Sequence, residues 1–210
     1  MSVLNKKEIS LEGEDKSLLI HLEINRQEAC NSLSEELILN LKDTLTKLSS
    51  QNNIKALILS GKGKHFCAGA DLKWMKASSL KDEAASLEES KVLADLFYTL
   101  YMSPFPTVAL VRGAAYGGGL GLIAACDYAL CDDSARFCFS EIKLGIIPSV
   151  IWPYLHKKIS YAKLMQLALT ARVFEPKEAL NSGLIAETFS SQDFETKVKE
   201  DLRRLVAASL

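Results

Sequence analysis

From residue 18 to residue 25 the chain alternates: Ile20, Leu22 and Ile24 are apolar, and His21 and Glu23 between them are polar. A period of two is the mark of a half-buried strand. The period then lengthens. Leu37, Leu41, Leu45 and Leu48 fall three or four positions apart, which predicts one apolar stripe along a helix. Ser32 and Glu35 fit a capping box ahead of it. The apolar run 54–60 predicts a buried strand, and the Lys/Gly-rich stretch 61–65 a loop. A polar helical stretch from about 80 to 102 stops at Pro104 and Pro106. A third strand follows at 107–111.

Residues 118–126 are apolar on every side, so the helix they predict must lie in the middle of a domain. Short strands are expected near 128–131 and 137–139, then helices over about 151–158, 161–170 and 176–182. Pro176 suits a first-turn position and Gly183 a helix stop. The tail 191–208 reads as helical. Strands alternating with helices predict an α/β fold with largely parallel pairing.

Composition narrows the class. The 210 residues make one ordinary domain with at most a small appendage. An apolar share of 48% and a charged share of 24% argue against intrinsic disorder. The 25 basic and 26 acidic residues cancel to a net charge of -1, so no general electrostatic grip on nucleic acid or an anionic membrane is expected. The five cysteines show no C-x-x-C spacing, and the gaps between Cys126, Cys131 and Cys138 fit no common zinc pattern. They are read as reduced thiols of a cytoplasmic protein. The three histidines are too scattered for a metal site. Residues 1–10 lack the apolar core of a secretory signal, and no apolar run is long enough for a membrane span.

Three segments carry possible chemistry. In His65-Phe66-Cys67-Ala68-Gly69-Ala70-Asp71-Leu72-Lys73, small residues at 68–70 let a ligand approach the backbone, with peptide N–H groups facing it. A tight strand-to-helix turn would use the same residues. In the segment 113–122, Gly117, Gly118 and Gly119 open the apolar helix. Free N–H donors and the helix dipole there suit a developing anion, although packing alone also explains glycines. In 139–148, Glu141 stands in apolar company, where burial raises a carboxyl pKa towards the range useful for proton transfer. A salt-bridged structural acid is the plainer reading of a lone glutamate. Gly119, Gly121 and Ala124, with Glu141 further on, also match a dinucleotide fingerprint. Seven residues separate Val111 from Gly119, however, where that motif runs almost directly from strand to glycine.

Taken together, FCAGADLKWM, GAAYGGGLGLIAACD and FSEIKLGIIP, with ARVFEPKEALNSGLI behind them, resemble the enoyl-CoA hydratase/isomerase (crotonase) superfamily from about residue 18 to 208. The resemblance implies a spiral of β-β-α units assembled as a homotrimer or hexamer, acting on an acyl-CoA thioester without a separate cofactor or metal. It implies that the N–H groups of Ala70 and Gly118 form an oxyanion hole for a thioester enolate and that Glu141 is the catalytic acid/base. Ala68, Gly69, Asp71, Leu72 and Lys73 would line the coenzyme A path. Arg26, Lys62 and Lys64 would more loosely meet its phosphates. The variable stretch 75–97 would shape the acyl pocket, with Trp74, Met75, Leu80, Leu87 and Phe97 as apolar candidates, although helix packing explains them equally well.

Two departures matter. Family hydratases usually carry a second glutamate at the position of Gly121. A bacterial subgroup assigned to leucine and acyclic isoprenoid breakdown, the 3-methylglutaconyl-CoA hydratase-like members, resembles GADLKWM, AYGGGLGLIAACD and SEIKLGIIPSVIWPYL more closely and shares that glycine. The expectation is that Gly121 vacates volume beside the acyl chain for a water or a carboxyl-bearing branched substrate. Family members also continue into C-terminal helices, of which 191–210 would be only the start, after a core domain at 1–190. The readings left open are a hydratase of branched or carboxylated 2-enoyl-CoA, a Δ3–Δ2 enoyl-CoA isomerase using one glutamate, and a non-catalytic acyl-CoA-binding homologue.

Overall fold

The computed structural model describes residues 2–10, 17–78 and 80–208. Strand β1 (Leu4–Ser10) runs antiparallel to β2 (Leu18–Ile24). Beyond β2 every pairing is parallel: β3 (Ile54–Gly61), β4 (Thr107–Val111), β6 (Tyr128–Asp132) and β8 (Glu187–Phe189) extend one sheet in the order β1-β2-β3-β4-β6-β8. A second, two-stranded parallel sheet pairs β5 (Ala114–Tyr116) with β7 (Arg136–Cys138).

The sheet is covered on both faces, so its central strands read as apolar runs. One face carries Ile20, Leu22, Ile24, Leu57 and Leu59 into the main core. Against it pack α1 (Glu35–Ser49), α3 (Glu83–Tyr101) and α4 (Gly118–Ala125). The other face presents Leu19, Ala56, Ile58, Val108 and Leu130 to Phe194, Val198 and Leu202 of α8 (Phe194–Ala208). Short helices α2 (Leu72–Ser78), α5 (Trp152–Leu155), α6 (Tyr161–Thr170) and α7 (Pro176–Ser182) complete the chain.

Helix α1 shows the logic of the stripe. Leu37, Ile38, Leu41, Leu45 and Leu48 are all buried, each contributing roughly 1.5–3 kcal/mol. Its cap is Ser34, not Ser32. Ser34 is extended, and its Oγ accepts from Leu37 N at 3.3 Å. Ser32 is drawn instead to the Arg26 guanidinium, 3.2 Å from its Oγ. The helix expected over 151–158 shortens to α5. After Leu155 the chain closes i to i-3 turns, with Lys157 N and Lys158 N donating to Tyr154 and Leu155 carbonyls. Strands β1, β5 and β8 lie where the pattern suggested no strand.

Candidate active site

The site begins where two backbone segments are sewn together. Cys67 N donates to Ala114 O and Tyr116 N donates to Cys67 O, so residue 67 joins β5. Two residues on, Leu33 N donates to Gly69 O and Asp71 N donates to Leu33 O. This parallel bridge uses the groups on either side of Ala70 and leaves the Ala70 N–H on the opposite side. Gly69 (φ +99) and Gly117 (φ +48) hold conformations that favour glycine. At Gly117 the chain swings into α4, and its N–H is fixed on Cys138 O at 3.0 Å.

A Cβ built on Gly118 would lie 3.8 Å from Ala70 N, and one built on Gly69 would lie 3.6 Å from Gly118 N. The two amides therefore stand within a few ångströms of each other. Among the described residues neither has a hydrogen-bond acceptor. A side chain at Gly119 would begin 2.4 Å from Cys67 O, so the helix approaches the 67–70 turn this closely only because glycine is there.

The third part arrives with β7. After Cys138 a 3-10 turn, Glu141–Leu144, places the Glu141 carboxyl against Gly117, with Oε1 3.2 Å from where a Cβ on that glycine would sit. Its Oε2 is buried and unpartnered among the described residues. Burial raises the Glu141 pKa above the ordinary glutamate value of 4.5, and the residue's own N–H opposes the shift only weakly.

Ala70, Gly118 and Glu141 all line one cavity of about 720 Å³. Its wall is mostly apolar, with Leu33, Trp74, Met75, Leu93, Ile147 and Ile151, and with Ser78, Ser86 and Ser90 at the α2–α3 rim. Glu141 is the one acid or base among the described residues lining it. No described cluster of His, Cys, Asp or Glu is suited to hold a metal ion. Among the described residues no helix is long and apolar enough to cross a membrane.

Other candidates fall elsewhere. Gly121 does not vacate volume: a Cβ there would lie 2.3 Å from Ile151 Cγ2 and 2.8 Å from the Phe97 ring. The space expected for water or a substrate carboxyl is filled by Ile151 and Phe97, both buried. Arg26 Nη2 bonds Asp71 Oδ2 at 2.9 Å, and its Nη1 donates to Ser32 O. The guanidinium is thus engaged within the protein. Asp71 also caps α2, accepting from Lys73 N at 2.9 Å. Burial pushes its pKa up, but Arg26 and the Lys73 and Trp74 N–H groups outweigh this and leave it lowered.

Ala68 N donates to Cys30 O, and Leu72 and Lys73 are exposed on the outside of α2. Lys62 and Lys64 line a separate small pocket with Gln27, Cys30, Asn31 and His65. Leu80 and Leu87 point to solvent, while Trp74 and Met75 reach the cavity. Leu33 and Ile151 were not foreseen. Leu33 belongs to an unremarkable stretch and Ile151 to the end of a motif whose other residues drew notice, and only the tertiary contact brings each to the site.

The model of the family described as "Enoyl-CoA hydratase/isomerase" matches residues 14–210. A peroxisomal Delta(3,5)-Delta(2,4)-dienoyl-CoA isomerase of Arabidopsis thaliana is 34% identical over 84% of this chain and 67% of its own length. The enoyl-CoA hydratase AKT6-1 of Alternaria alternata is 31% identical over 87% of this chain and 59% of its own. The crystal structure of an enoyl-CoA hydratase from Shewanella pealeana, at 32% identity, superposes with a TM-score of 0.88 over 98% of this chain and 74% of that one. The chain spans about two thirds or less of the length of these two curated relatives.

Proposed function

The chain belongs to the enoyl-CoA hydratase/isomerase family, and from that premise we propose that it hydrates a 2-enoyl-CoA thioester through an enolate. The observation that carries this reading is the convergence of two unspent amides and one buried carboxyl on a single cavity. As water oxygen bonds to the β-carbon, the double-bond electrons move to the thioester oxygen. The Ala70 and Gly118 N–H groups face that oxyanion, and preorganised donors of this kind contribute about 100- to 1,000-fold each.

A single carboxyl balances the protons. Neutral Glu141 gives its proton to the α-carbon, and its other oxygen takes one from the attacking water. The acid ends as it began. The raised pKa favours the neutral form this step requires. Support for a branched or carboxylated acyl group now rests on the family resemblance alone, since Phe97 closes the space beside Gly121.

One observation favours a second reading. With Glu141 the one acid/base among the described lining residues, a carboxylate that removes a proton from the α-carbon and returns it to the γ-carbon would suffice. This is positional isomerisation of a 3-enoyl-CoA.

A kinetic panel of straight, branched and carboxylated 2- and 3-enoyl-CoA esters separates the two. Loss of conjugated-thioester absorbance with formation of the 3-hydroxyacyl product is expected. Formation of conjugated product from 3-enoyl-CoA, with no hydration, would select isomerisation. In either case Glu141→Gln lowers kcat by at least about 100-fold while acyl-CoA binding changes little. Undiminished turnover by that variant removes Glu141 from the chemistry.

A further inference from the structure

A half-buried cation that this chemistry does not use lies at the far end of α4. Lys158 sits in the turn between α5 and α6, and its Nζ donates to Cys126 O at 2.6 Å and to Ile123 O and Asp127 O at 3.2 Å each. All three ammonium protons are thus spent on carbonyls at the C-terminal end of the helix whose first N–H is that of Gly118. The backbone of Lys158 is itself confined, because a Cβ on Gly183 would meet its carbonyl at 2.5 Å.

Helix α4 has no charged side chain, and Gly119 through Ala125 are all buried. Its carbonyl end is therefore shielded from water as far as Cys126, and open to it only at the exposed Asp127. A lysine there does two things. It satisfies the orphan carbonyls, and it neutralises the negative end of the helix dipole, leaving the positive end facing the cavity.

We infer that Lys158 is a positioning residue for the reaction, holding α4 in register and adding its positive charge to the field that the Gly118 N–H presents to the thioester oxygen. This rests on the reading of Gly118 as an oxyanion donor. Burial lowers the Lys158 pKa, and the neighbouring Cys126 and Asp127 oppose that shift. The adjoining groove holds further charges, with Lys163 and Arg172 both on Glu178 and with Lys177 and Glu175 beside them. Eight residues at about 1.5 Å each put the charge about 12 Å from the first turn. At an effective dielectric constant of about 20, a unit charge at that range corresponds to about tenfold in rate.

The test compares Lys158→Gln, which keeps hydrogen-bond donors but loses the charge, with Lys158→Arg, which keeps the charge. Two quantities are read: kcat and KM on a 2-enoyl-CoA, and the absorption maximum of bound 2,4-hexadienoyl-CoA, whose red shift reports polarisation of its thioester carbonyl. Lys158→Gln is expected to lose about tenfold in kcat with KM little changed and to shrink the red shift. Lys158→Arg is expected to retain most of both. An unchanged red shift in Lys158→Gln, or equal losses in the two variants, overturns the inference. So does failure of both to fold, which would make Lys158 a scaffold residue only. A wild-type protein that binds the dienoyl ester with no red shift instead removes the oxyanion reading beneath it.

Discussion

The Phe97 ring stands 2.8 Å from the point where a side chain on Gly121 would begin. Helix α3 thus fills, from the side, a space that α4 leaves empty. The glycine is explained by packing, and the pocket beside it is closed. Gly121→Ala should therefore cost about 1–3 kcal/mol by overpacking, read as a lower Tm. Pairing it with Phe97→Leu should recover part of the loss, a coupling that a double-mutant cycle measures. Additive losses would mean that the new methyl is resisted by Ile151 Cγ2, at 2.3 Å the nearer neighbour, and not by Phe97.

Glu141 carries a stability consequence as well as a chemical one. Its folded pKa lies above the ordinary value. The group therefore favours the fold when protonated, below the unfolded pKa, and that contribution is lost as pH rises through the folded pKa. Above the ordinary glutamate range the buried acid therefore opposes folding, so Glu141→Gln is expected to melt higher. Each 1 kcal/mol corresponds to about 2–4 °C in a chain of this size. The gap should close as pH falls into the usual glutamate range. Calorimetry across that range checks it, and a variant that melts lower at every pH would contradict the desolvation argument.

Gly118→Val addresses the oxyanion amides. Its Cβ would begin 2.8 Å from Leu33 Cδ1 and 3.8 Å from Ala70 N, placing a branched side chain between the two donors. The expected loss is at least about 100-fold in kcat. Retained circular dichroism and retained affinity for free coenzyme A would locate the defect at the thioester oxygen. A variant with near-normal kcat would show that the oxygen binds elsewhere.

Arg26 is expected to reveal itself as a fastener. Its pair with Asp71 is mostly shielded, with side chains 15% and 13% exposed. Arg26→Met should lower stability by roughly 1–3 kcal/mol while leaving the discrimination between coenzyme A and pantetheine thioesters unchanged. Because the Asp71 pKa is lowered, the carboxylate's stabilising part is present above its unfolded pKa and fades as pH falls through the folded one. A selective rise in KM for coenzyme A esters would return Arg26 to the phosphates.

Much of the fold was legible because its signals are local. Leu37, Leu41, Leu45 and Leu48 advertise α1 by spacing, and residues 118–126 announce a buried helix by lacking any polar face. Residues 114–116 were not legible as a strand. Three residues carry too little pattern, and β5 exists because Cys67 and β7 pair with it. Ser32 misled because a capping box is a local rule, and the Arg26–Asp71 pair overrode it from 39 residues away, the separation between Ser32 and Asp71. The site followed the same division. The glycines and Glu141 are visible as motifs. That Phe97 occupies the place of a side chain at Gly121 depends on two helices crossing, which no window along the chain contains.

The bridge between Leu33 and Ala70 leaves the amide of residue 70 with nothing to hold on to, and the start of α4 does the same for residue 118. In a backbone otherwise stitched through β5, Leu33 and Cys138, the protons at positions 70 and 118 should trade with deuterated solvent far faster than those at 67, 71 and 117. They should slow on addition of an acyl-CoA ester. Isotope uptake then becomes a way to watch the empty cradle fill, amide by amide, without any turnover at all.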